Sequence, residues 1–399
     1  MKIYDFLIVG AGIFGMSTAI SLSQKGYSVC VLNSDAIPSP LAASTDISKI
    51  VRMEYGSDEE YMDMGNQAIQ GWKEWNQLLQ ETVYHETGFL LAARQSFASG
   101  QQAFEASSYE NLLKKGFQPE RLEGSAIPQR FPEFAPEVYR DGFFHATAGY
   151  AESARTVLLL AAYARRAGIR IEEGQTVSRI MSRSGRVEAV STREGNRFAA
   201  GHVVICAGNF TPYILPELSP YMQITGHPVF HLKPERAALF SSPHFPVFGA
   251  DISNTGWYGF PLHPREQVVK IARHSQGIPI HPEKDARRIR QAEEESLKKF
   301  LRVSFPSLAD APIVYRRLCC YTDTLDGHFW IDRHPELEGL TVGSGGSGHG
   351  FKMGPIIGDM IAAVAEGGMH QWSDRYRWRA LSPETVGEEE ARYIDSDVQ

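Results

Sequence analysis

The stretch Val9-Gly10-Ala11-Gly12-Ile13-Phe14-Gly15, near the start of the chain, decides the fold. It follows the strand-like run Ile3–Val9 and opens an apolar segment that reaches Lys25, where Gly26 is a stop signal. A further run, Ser28–Leu32, again favours a strand. This order of strand, glycine turn, helix and strand predicts a complete βαβ unit.

The spacing of the glycines in this turn indicates what the unit binds. Gly10, Gly12 and Gly15 follow the pattern G-x-G-x-x-G between a strand and a helix. At such a turn, backbone N–H groups and the positive end of the helix converge on a pyrophosphate. The alternative is that the glycines serve only a tight turn. We expect a dinucleotide here, with Ile13 and Phe14 also among its contacts.

The residue that ends the second strand departs from the usual dinucleotide pattern. An acidic side chain normally takes the ribose hydroxyls at this position, but the chain has Asn33. An amide can still accept a hydrogen bond, and Asp35 is two residues further on. Both residues therefore stay open as the ribose contact.

The overall composition excludes several classes of protein. The chain has 399 residues, of which 43% are hydrophobic and 22% charged, with a formal net charge of −7. These values predict a globular protein of two domains without a nucleic-acid surface. No segment is apolar enough to span a bilayer, and the four cysteines have neither metal-ligand spacing nor a disulfide pattern. We expect no metal and no membrane contact, and an intracellular protein, cytoplasmic or peroxisomal, without a recognisable targeting signal.

The order of the predicted elements gives an α/β fold in which one domain interrupts the other. Beyond the first unit, we predict a helix at Ala154–Ala167, a strand at Val203–Cys206, a strand at Leu340–Val342 and a helix at Pro355–Ala365. Between these blocks the chain is richer in Pro, aromatic residues and short alternating strands. The predicted division is a Rossmann-like FAD-binding domain at 1–85, 147–215 and 313–382, a mixed-sheet (α+β) substrate domain at 86–146 and 216–312, and an acidic tail at 383–399. The tail is expected to be solvated and partly disordered.

Three features favour FAD over NAD as the dinucleotide. The turn Cys206-Ala207-Gly208 ends a strand in a way that flavoproteins use for a second approach to the cofactor. The glycine-rich stretch 343–352 lets the backbone approach a flat ligand closely. The helix after it has Pro355 in its first turn, and its N-terminal dipole would face the flavin pyrimidine ring. We therefore expect a flavin.

Six motifs resemble one known family in the order in which that family has them. They are Gly10–Gly15, Lys49–Arg52, Tyr258–Pro261, Lys270–His274, Cys319–Thr322 and Ser347–Lys352. Together they resemble the monomeric sarcosine oxidase group, which includes N-methyl amino acid, pipecolate, saccharopine and fructosyl amine oxidases. The resemblance extends to about residue 366. The segment Ile37–Lys49 is nearer the pipecolate, saccharopine and fructosyl amine branch, and Lys49 stands where sarcosine oxidases more often have arginine.

The resemblance implies that Cys319 holds FAD covalently, through a thioether to the 8-methyl carbon of the flavin. A thiolate is the nucleophile that such a bond needs. The alternatives are a buried structural cysteine at 319, attachment through Cys320, and a disulfide between Cys319 and Cys320.

The resemblance also implies roles for three cations. Lys270 would assist the reaction of reduced flavin with oxygen; the alternative is a lysine on the solvent face of an edge strand. Arg52 would bind a substrate carboxylate through bidentate hydrogen bonds from its guanidinium; the alternative is a surface arginine. Lys352 would add a second positive contact to the same carboxylate.

The remaining expected site residues line the substrate cavity or bind the flavin in the family. We expect Tyr258 and His274 on the substrate side. Each of them, like Tyr321 and His349, could equally be an ordinary core side chain. The other expected cofactor contacts are Asn33, Ser44, Lys49, Val177, Ala207, Gly208, Tyr321, Gly346, Gly348, His349, Gly350, Phe351 and Lys352.

These expectations describe one reaction and two alternatives. The resemblance implies an FAD-dependent oxidase of the C–N bond of a secondary amine amino acid, with an imine and hydrogen peroxide as products and dioxygen as the acceptor. The substrate would be an N-methyl, cyclic imino, saccharopine-like or fructosyl amino acid, and the protein a monomer. A flavin dehydrogenase with another acceptor and a non-catalytic FAD-binding protein are the alternatives; Lys270 argues against the first.

Overall fold

Two large β-sheets form the mixed α/β fold that the sequence predicts. The structure is a computed structural model that describes residues 3–100, 103–385, 387, 389 and 391–393. One sheet is parallel at its centre and the other is mixed. The predicted fold class is confirmed.

The first strand of the chain lies at the centre of the parallel part of the first sheet. Ile3–Val9 pairs in parallel with Val29–Leu32 on one side and with Arg197–Ile205 on the other. The eight strands of this sheet are Ile3–Val9, Val29–Leu32, Arg170–Glu172, Val177–Arg183, Arg186–Thr192, Arg197–Ile205, Trp330–Arg333 and Leu340–Ser344. The predicted strand at Val203–Cys206 is therefore the end of a longer strand.

Helices cover one face of this sheet. Helix Ile13–Gln24 packs against helix Gly354–Ala365, where the Ser17 hydroxyl donates to the Gly354 carbonyl over 2.6 Å. The α-helices are Ile13–Gln24, Glu59–Leu79, Ala103–Lys114, Ala126–Arg130, Ser153–Arg166, Thr211–Ile214, Ile252–Thr255, Gln291–Ser304, Gly354–Ala365 and Ser373–Tyr376. The 3-10 helices are Phe97–Ser99, Gly208–Phe210, Pro216–Leu218, Ala237–Phe240, Pro306–Leu308 and Gly350–Met353. Within the described ranges, none of the helices is long and apolar enough to cross a membrane.

The second sheet contains most of the strands between the segments of the first. Its strands are Phe89–Ala93, Glu120–Arg121, Asp141–His145, Met222–Leu232, Val247–Ala250, Trp257–Gly259, Val269–Arg273, Ile278–Pro279 and Ile313–Thr324. A cluster of buried aromatic residues, among them Phe134, Phe248 and Phe305, packs against it. A small third sheet consists of Lys49–Val51, Tyr84–His85 and Gly149–Ala151.

One strand departs from the predicted division of the chain. Ile313–Thr324, which the sequence analysis assigned to the FAD-binding segments, pairs with Met222–Leu232 in the second sheet. An apolar run such as Leu318–Tyr321 is typical of a buried strand in either sheet, so the sequence pattern could not decide the pairing. The domain division as a whole stays a prediction.

The expected solvated tail is wrong for residues 389 and 391–393, whereas Pro383, Glu384 and Gly387 are exposed. The side chain of Glu389 is 9% exposed, and Ala391 is 1% exposed. Arg392 donates to the Asp323 carboxylate over 2.9 Å and to the Ser347 carbonyl over 2.8 Å. Both partners of Arg392 lie more than forty residues away from it in the chain, so a count of local acidic residues could not reveal these contacts. Residues 386, 388, 390 and 394–399 lie outside the described residues.

Candidate active site

A long cleft of about 430 Å³ lies at the carboxyl ends of the central parallel strands. This is the edge at which open α/β sheets bind their ligands. The expected cofactor residues that line it are Gly10, Gly12, Ile13, Phe14, Asn33, Ser44, Lys49, Val177, Ala207, Gly208, Tyr321, Gly346, Gly348, Gly350 and Phe351. The cleft thus joins the first glycine turn to the glycine-rich loop near the end of the chain.

The glycine turn leaves no room for a side chain at Gly10 or at Gly15. Gly10 has φ +104°, and a Cβ atom there would lie 2.4 Å from the carbonyl oxygen of Cys206. A Cβ atom at Gly15 would lie 1.8 Å from the carbonyl oxygen of Gly10, although Gly15 itself does not line the cleft. Gly15 therefore lets the helix begin directly against the turn, which points its first N–H groups into the cleft.

Asn33 and Asp35 both line the cleft but use their side chains differently. The Asn33 side-chain oxygen accepts from the Ala11 N–H over 3.0 Å, and its amide nitrogen donates to the Asp35 carbonyl over 2.7 Å. Asn33 therefore braces the glycine turn against the next loop. Asp35 has Ala36 N–H as its close donor, at 2.9 Å. Both Asn33 and Asp35 therefore stay predicted as the ribose contact.

The glycine cradle and the length of the cleft fit a dinucleotide with a flat ring at one end. The helix that begins at Ile13 has its positive end at the cleft, which favours phosphates, and the Ile13 N–H donates to the Ser44 hydroxyl over 3.2 Å. The loop from Gly346 to Phe351 forms the far end. A Cβ atom at Gly348 would lie 2.6 Å from the Tyr321 ring, so only glycine permits this approach. FAD has the shape and charges that this cleft can hold.

Cys319 lies just behind the wall of the cleft. Its Sγ atom is 3.3 Å from the Lys49 Nζ atom, and Lys49 lines the cleft. Because side chains alternate along the strand, Cys319 lies with Tyr321 and Ala272, whereas Cys320 packs with Ile224 and other apolar residues. No disulfide links Cys319 to Cys320, so that alternative is wrong.

Lys270 is buried close to Lys49 and Cys319. Its side chain is 1% exposed, and its strand pairs with a neighbour on both sides, so the edge-strand alternative is wrong. Its Nζ atom lies 2.6 Å from the Asp46 carboxylate and 4.7 Å from the centre of the Phe260 ring. Burial lowers the pKa of Lys270 to about 8, although Asp46 opposes this effect. The sequence analysis did not identify Asp46.

Tyr258 and His274 lie beside Tyr321. The side chains of Tyr258 and Tyr321 share a hydrogen bond, and burial raises the pKa of Tyr258. The His274 Nε2 atom is 2.9 Å from the carboxylate of Glu389, which the sequence analysis left in a solvated tail. Burial alone would raise the pKa of Glu389, but His274 and Arg392 hold it well below its ordinary value.

Arg52 and Lys352 meet at Tyr55, which the sequence analysis missed. Lys352 Nζ donates to the Tyr55 hydroxyl over 2.9 Å, and the Arg52 guanidinium lies 5.0 Å from the centre of the Tyr55 ring. Burial, with a further contribution from Arg52, lowers the pKa of Lys352 well below its ordinary value. The Tyr55 hydroxyl is also 3.1 Å from His349 Nδ1, and burial lowers the pKa of His349 to about 3.

The surface alternative for Arg52 is wrong, because the residue is only 5% exposed. Its Nη1 atom finds no hydrogen-bond partner in the part of the chain that the structure describes. A buried guanidinium nitrogen without an acceptor is costly unless a ligand supplies one. Gly350 and Phe351, next to Lys352, line the cleft, so both cations lie beside its far end.

Several of the expected residues do not line the cleft. Arg52, Lys270, Tyr258 and His274 lie next to it, as do the expected cofactor residues Gly15, Cys319, His349 and Lys352. Residues that the sequence analysis missed do line it, including Gln175, Thr176 and Asn209. They follow strands whose carboxyl ends meet there, which is the signal that could have found them. Across residues 3–393, gaps excepted, no group of three or more His, Cys, Asp or Glu side chains could hold a metal.

Fold and cleft together define a class of protein: the chain belongs to the FAD dependent oxidoreductase family, which it matches over residues 5–364. The expected resemblance to the sarcosine oxidase group is confirmed. The chain is 27% identical over 374 residues to monomeric sarcosine oxidase of Arthrobacter sp. (strain TE1826), covering 91% of this chain and 92% of the relative. It is 26% identical over 408 residues to L-saccharopine oxidase of Schizosaccharomyces pombe, covering 94% and 92%.

A solved structure shows the same fold over the whole chain. The fructosamine oxidase Amadoriase II of Aspergillus fumigatus has a TM-score of 0.84 with this protein and 25% sequence identity, covering 100% of this chain and 95% of the other.

Proposed function

We propose that this protein is an FAD-dependent oxidase of the C–N bond of a secondary amine amino acid. When bound, FAD supplies the two-electron acceptor, so that one amine and one dioxygen give one imine and one hydrogen peroxide. The full-length relatives support this reaction, since they include sarcosine and saccharopine oxidases. The substrate would be an N-methyl, cyclic imino, saccharopine-like or fructosyl amino acid.

The pair of buried cations at Tyr55 is the observation that carries the proposal. Arg52 Nη1 has no acceptor among the described residues, and Lys352 Nζ bonds to an uncharged hydroxyl. A substrate carboxylate would give Arg52 Nη1 its missing acceptor. It would also give Lys352 a direct anionic partner, in addition to the electrostatic effect of Glu54 and Glu389 on this lysine. It would also fix the amine end of the substrate relative to the cleft, because two contacts define its orientation.

The same charges would favour the reactive form of the amine. A secondary amine in water is protonated at nitrogen. It cannot donate a hydride until that proton has left. Burial in a cavity that already holds Arg52 and Lys352 disfavours a further positive charge and thus lowers the pKa of the bound amine. Tyr258 and His274 would line the space above the flavin end of the cleft, where they would exclude water.

Cys319 and Lys270 would act at the flavin itself. Cys319 would hold the cofactor through a thioether, since it lies behind Lys49 on the face of its strand that carries Tyr321. Lys270 would place a positive charge where dioxygen takes its first electron. In its buried position this charge is worth more than it would be in water.

The test is a peroxide assay with purified protein over a panel of secondary amino acids. The panel contains an N-methyl amino acid, a cyclic imino acid, saccharopine and a fructosyl amino acid, with the matched primary amines as controls. We expect peroxide from at least one secondary amine, and bleaching of the flavin by the same compound when air is excluded. Bleaching without peroxide would indicate a dehydrogenase. A flavin that no member bleaches would contradict the proposal.

A further inference from the structure

Lys270 belongs to a buried network that includes the side chains of two residues outside the six motifs, Asp46 and His231. The Lys270 Nζ atom is 2.6 Å from Asp46 Oδ2 and also donates to the Ser48 carbonyl. The second oxygen, Asp46 Oδ1, is 3.2 Å from His231 Nε2. His231 lies on the strand Met222–Leu232, directly opposite Lys270 in the register of the sheet. The carboxylate is therefore held between two side chains of adjacent strands.

The backbone around Asp46 fixes the position of this carboxylate. The Asp46 carbonyl accepts from the Ala154 N–H over 2.9 Å and from the Ser153 hydroxyl over 2.6 Å, at the start of helix Ser153–Arg166. Its Oδ1 atom also accepts from the Ile47 N–H over 2.8 Å. Asp46 thus cannot move away from Lys270 without breaking contacts to a helix.

The surroundings of Lys270 make a counter-ion necessary. The titratable groups that face it are Asp46, Lys49 and the Cys319 thiol. Asp46 in turn faces His231, Lys49, Tyr258 and Arg317. Burial and Lys49 both disfavour the ammonium form, and Asp46 is the opposing charge. A neutral lysine would not stabilise a developing negative charge on dioxygen.

We propose that Asp46, supported by His231, is a positioning residue that keeps Lys270 charged and aimed at the flavin end of the cleft. This proposal rests on the proposed role of Lys270 in the reaction with oxygen. It adds a residue that acts through Lys270 and that the cleft motifs do not contain.

The experiment compares the intact flavoprotein with Asp46→Asn, Lys270→Met and a control, Asp141→Asn. Asp141 is a matched buried carboxylate, with Arg121 at 2.6 Å, and it belongs to the second sheet away from the cleft. The flavin is reduced by light and EDTA, so that no amine substrate is needed. Reoxidation by air-saturated buffer is then followed from pH 6 to pH 10. The absorbance of the oxidised flavin is titrated over the same range, as a readout that does not depend on activity.

The charged form of Lys270 exists below its pKa, so the wild-type reoxidation rate should fall as the pH rises through that value. In Asp46→Asn this transition, and the matching change in flavin absorbance, should move to lower pH by at least about one unit. At pH 8, near the wild-type midpoint, the variant should therefore be ~5-fold slower than the wild type and should recover toward the wild-type rate at pH 6. Lys270→Met should be slow throughout with no transition, and Asp141→Asn should follow the wild type.

A wild-type profile in Asp46→Asn would overturn the proposal, and so would an equal loss of rate at every pH, which indicates a structural role alone. If Asp46→Asn does not fold with flavin, the pH dependence of reoxidation in His231→Gln tests the proposal instead. It should move the transition in the same direction by a smaller amount, and an unchanged profile would overturn the proposal. Because reduction by light bypasses the amine, failure here is distinct from failure of the peroxide assay.

Discussion

At the level of single residues, Arg52 is a buried cation in an aromatic surrounding. Its guanidinium lies 5.0, 5.8 and 5.5 Å from the ring centres of Tyr55, Phe89 and Phe104. These faces stabilise the positive charge without supplying an acceptor for Nη1. The surroundings therefore hold the side chain in place while one of its donors is left for a ligand.

Arg52→Ala should weaken the use of carboxylate substrates by roughly 2–5 kcal/mol, because a buried charge contact disappears. The measurement compares kcat/KM for the best substrate of the panel with that for its carboxamide. The wild type should strongly prefer the acid, and Arg52→Ala should lose most of that preference while keeping its flavin spectrum. Arg236→Ala, at an exposed position, is the control. An unchanged ratio of acid to amide in Arg52→Ala would assign the carboxylate to Lys352.

Lys352 should lower the free energy of unfolding at neutral pH. Without a substrate carboxylate beside Lys352, burial and Arg52 lower its pKa well below the ordinary value in the folded state, so the unfolded chain binds protons at this group more readily. The free energy of unfolding therefore rises with pH up to the ordinary lysine pKa. Lys352→Met removes this pH-dependent loss of stability and should raise the free energy of unfolding at pH 7 by ~1 kcal/mol or more.

Denaturant unfolding of the FAD-bound protein without substrate, at pH 7 and pH 10, measures this effect. The gain from Lys352→Met should shrink at pH 10, because fewer unfolded chains carry the proton there. Lys233→Met, at an exposed lysine, should change little at either pH. A loss of stability in Lys352→Met at pH 7 would show that the lysine is held charged by a partner.

At the level of elements, the strand Ile313–Thr324 distributes its two cysteines between different surroundings. Side chains of successive residues in a strand point to opposite faces. Cys319 accordingly shares a cluster with Val229, Ala272 and Tyr321, and Cys320 lies among other apolar side chains. Burial raises the pKa of Cys320, which makes its thiolate harder to form.

Cys319→Ala should release the flavin on acid precipitation, whereas the wild type and Cys320→Ala should keep their yellow colour in the pellet. The physical reason is the alternation of the strand, which puts one thiol on the side of Lys49 and the cleft. The absorbance of pellet and supernatant is the measurement. Release from Cys320→Ala alone would contradict the register on which this expectation rests.

At the level of the whole molecule, the cleft depends on both large sheets. The glycine turn belongs to the first sheet, and Tyr321 and Thr322 come from a strand of the second. The Thr322 hydroxyl donates to the Asn209 side chain over 2.9 Å, and the Ser347 N–H donates to the Thr322 carbonyl over 3.0 Å. A ligand that fills the cleft therefore contacts segments that are far apart in the chain.

FAD should consequently stabilise the fold as a whole. In Cys319→Ala, where the cofactor is removable, FAD at 100 times its Kd should add ~2.7 kcal/mol to the free energy of unfolding. The measurement is the thermal unfolding midpoint against FAD concentration. NAD at the same concentrations is the control and should have no comparable effect. Equal stabilisation by both dinucleotides would contradict the assignment of the cleft to a flavin.

The sequence alone determined the features that depend on near neighbours in the chain. The βαβ unit and its glycine spacing lie within about thirty residues, and at Gly15 a clash with the nearby Gly10 carbonyl requires glycine. The order of six motifs was enough to identify the family, which the match over residues 5–364 bears out. Local patterns also predicted helix Gly354–Ala365 to within one residue at its start.

Only the tertiary structure decided which side chains meet. Asp46 lies 2.6 Å from Lys270, Glu389 meets His274, and Tyr55 joins Lys352, although each pair is separated by more than a hundred residues. Such contacts leave no periodic signal, because they depend on which strands pair and on which face each side chain lies. The same physics placed Ile313–Thr324 in the second sheet and buried Glu389. From the sequence alone a charged residue such as Glu389 is predicted to be exposed to solvent, because its burial is favourable only when the fold places partners beside it.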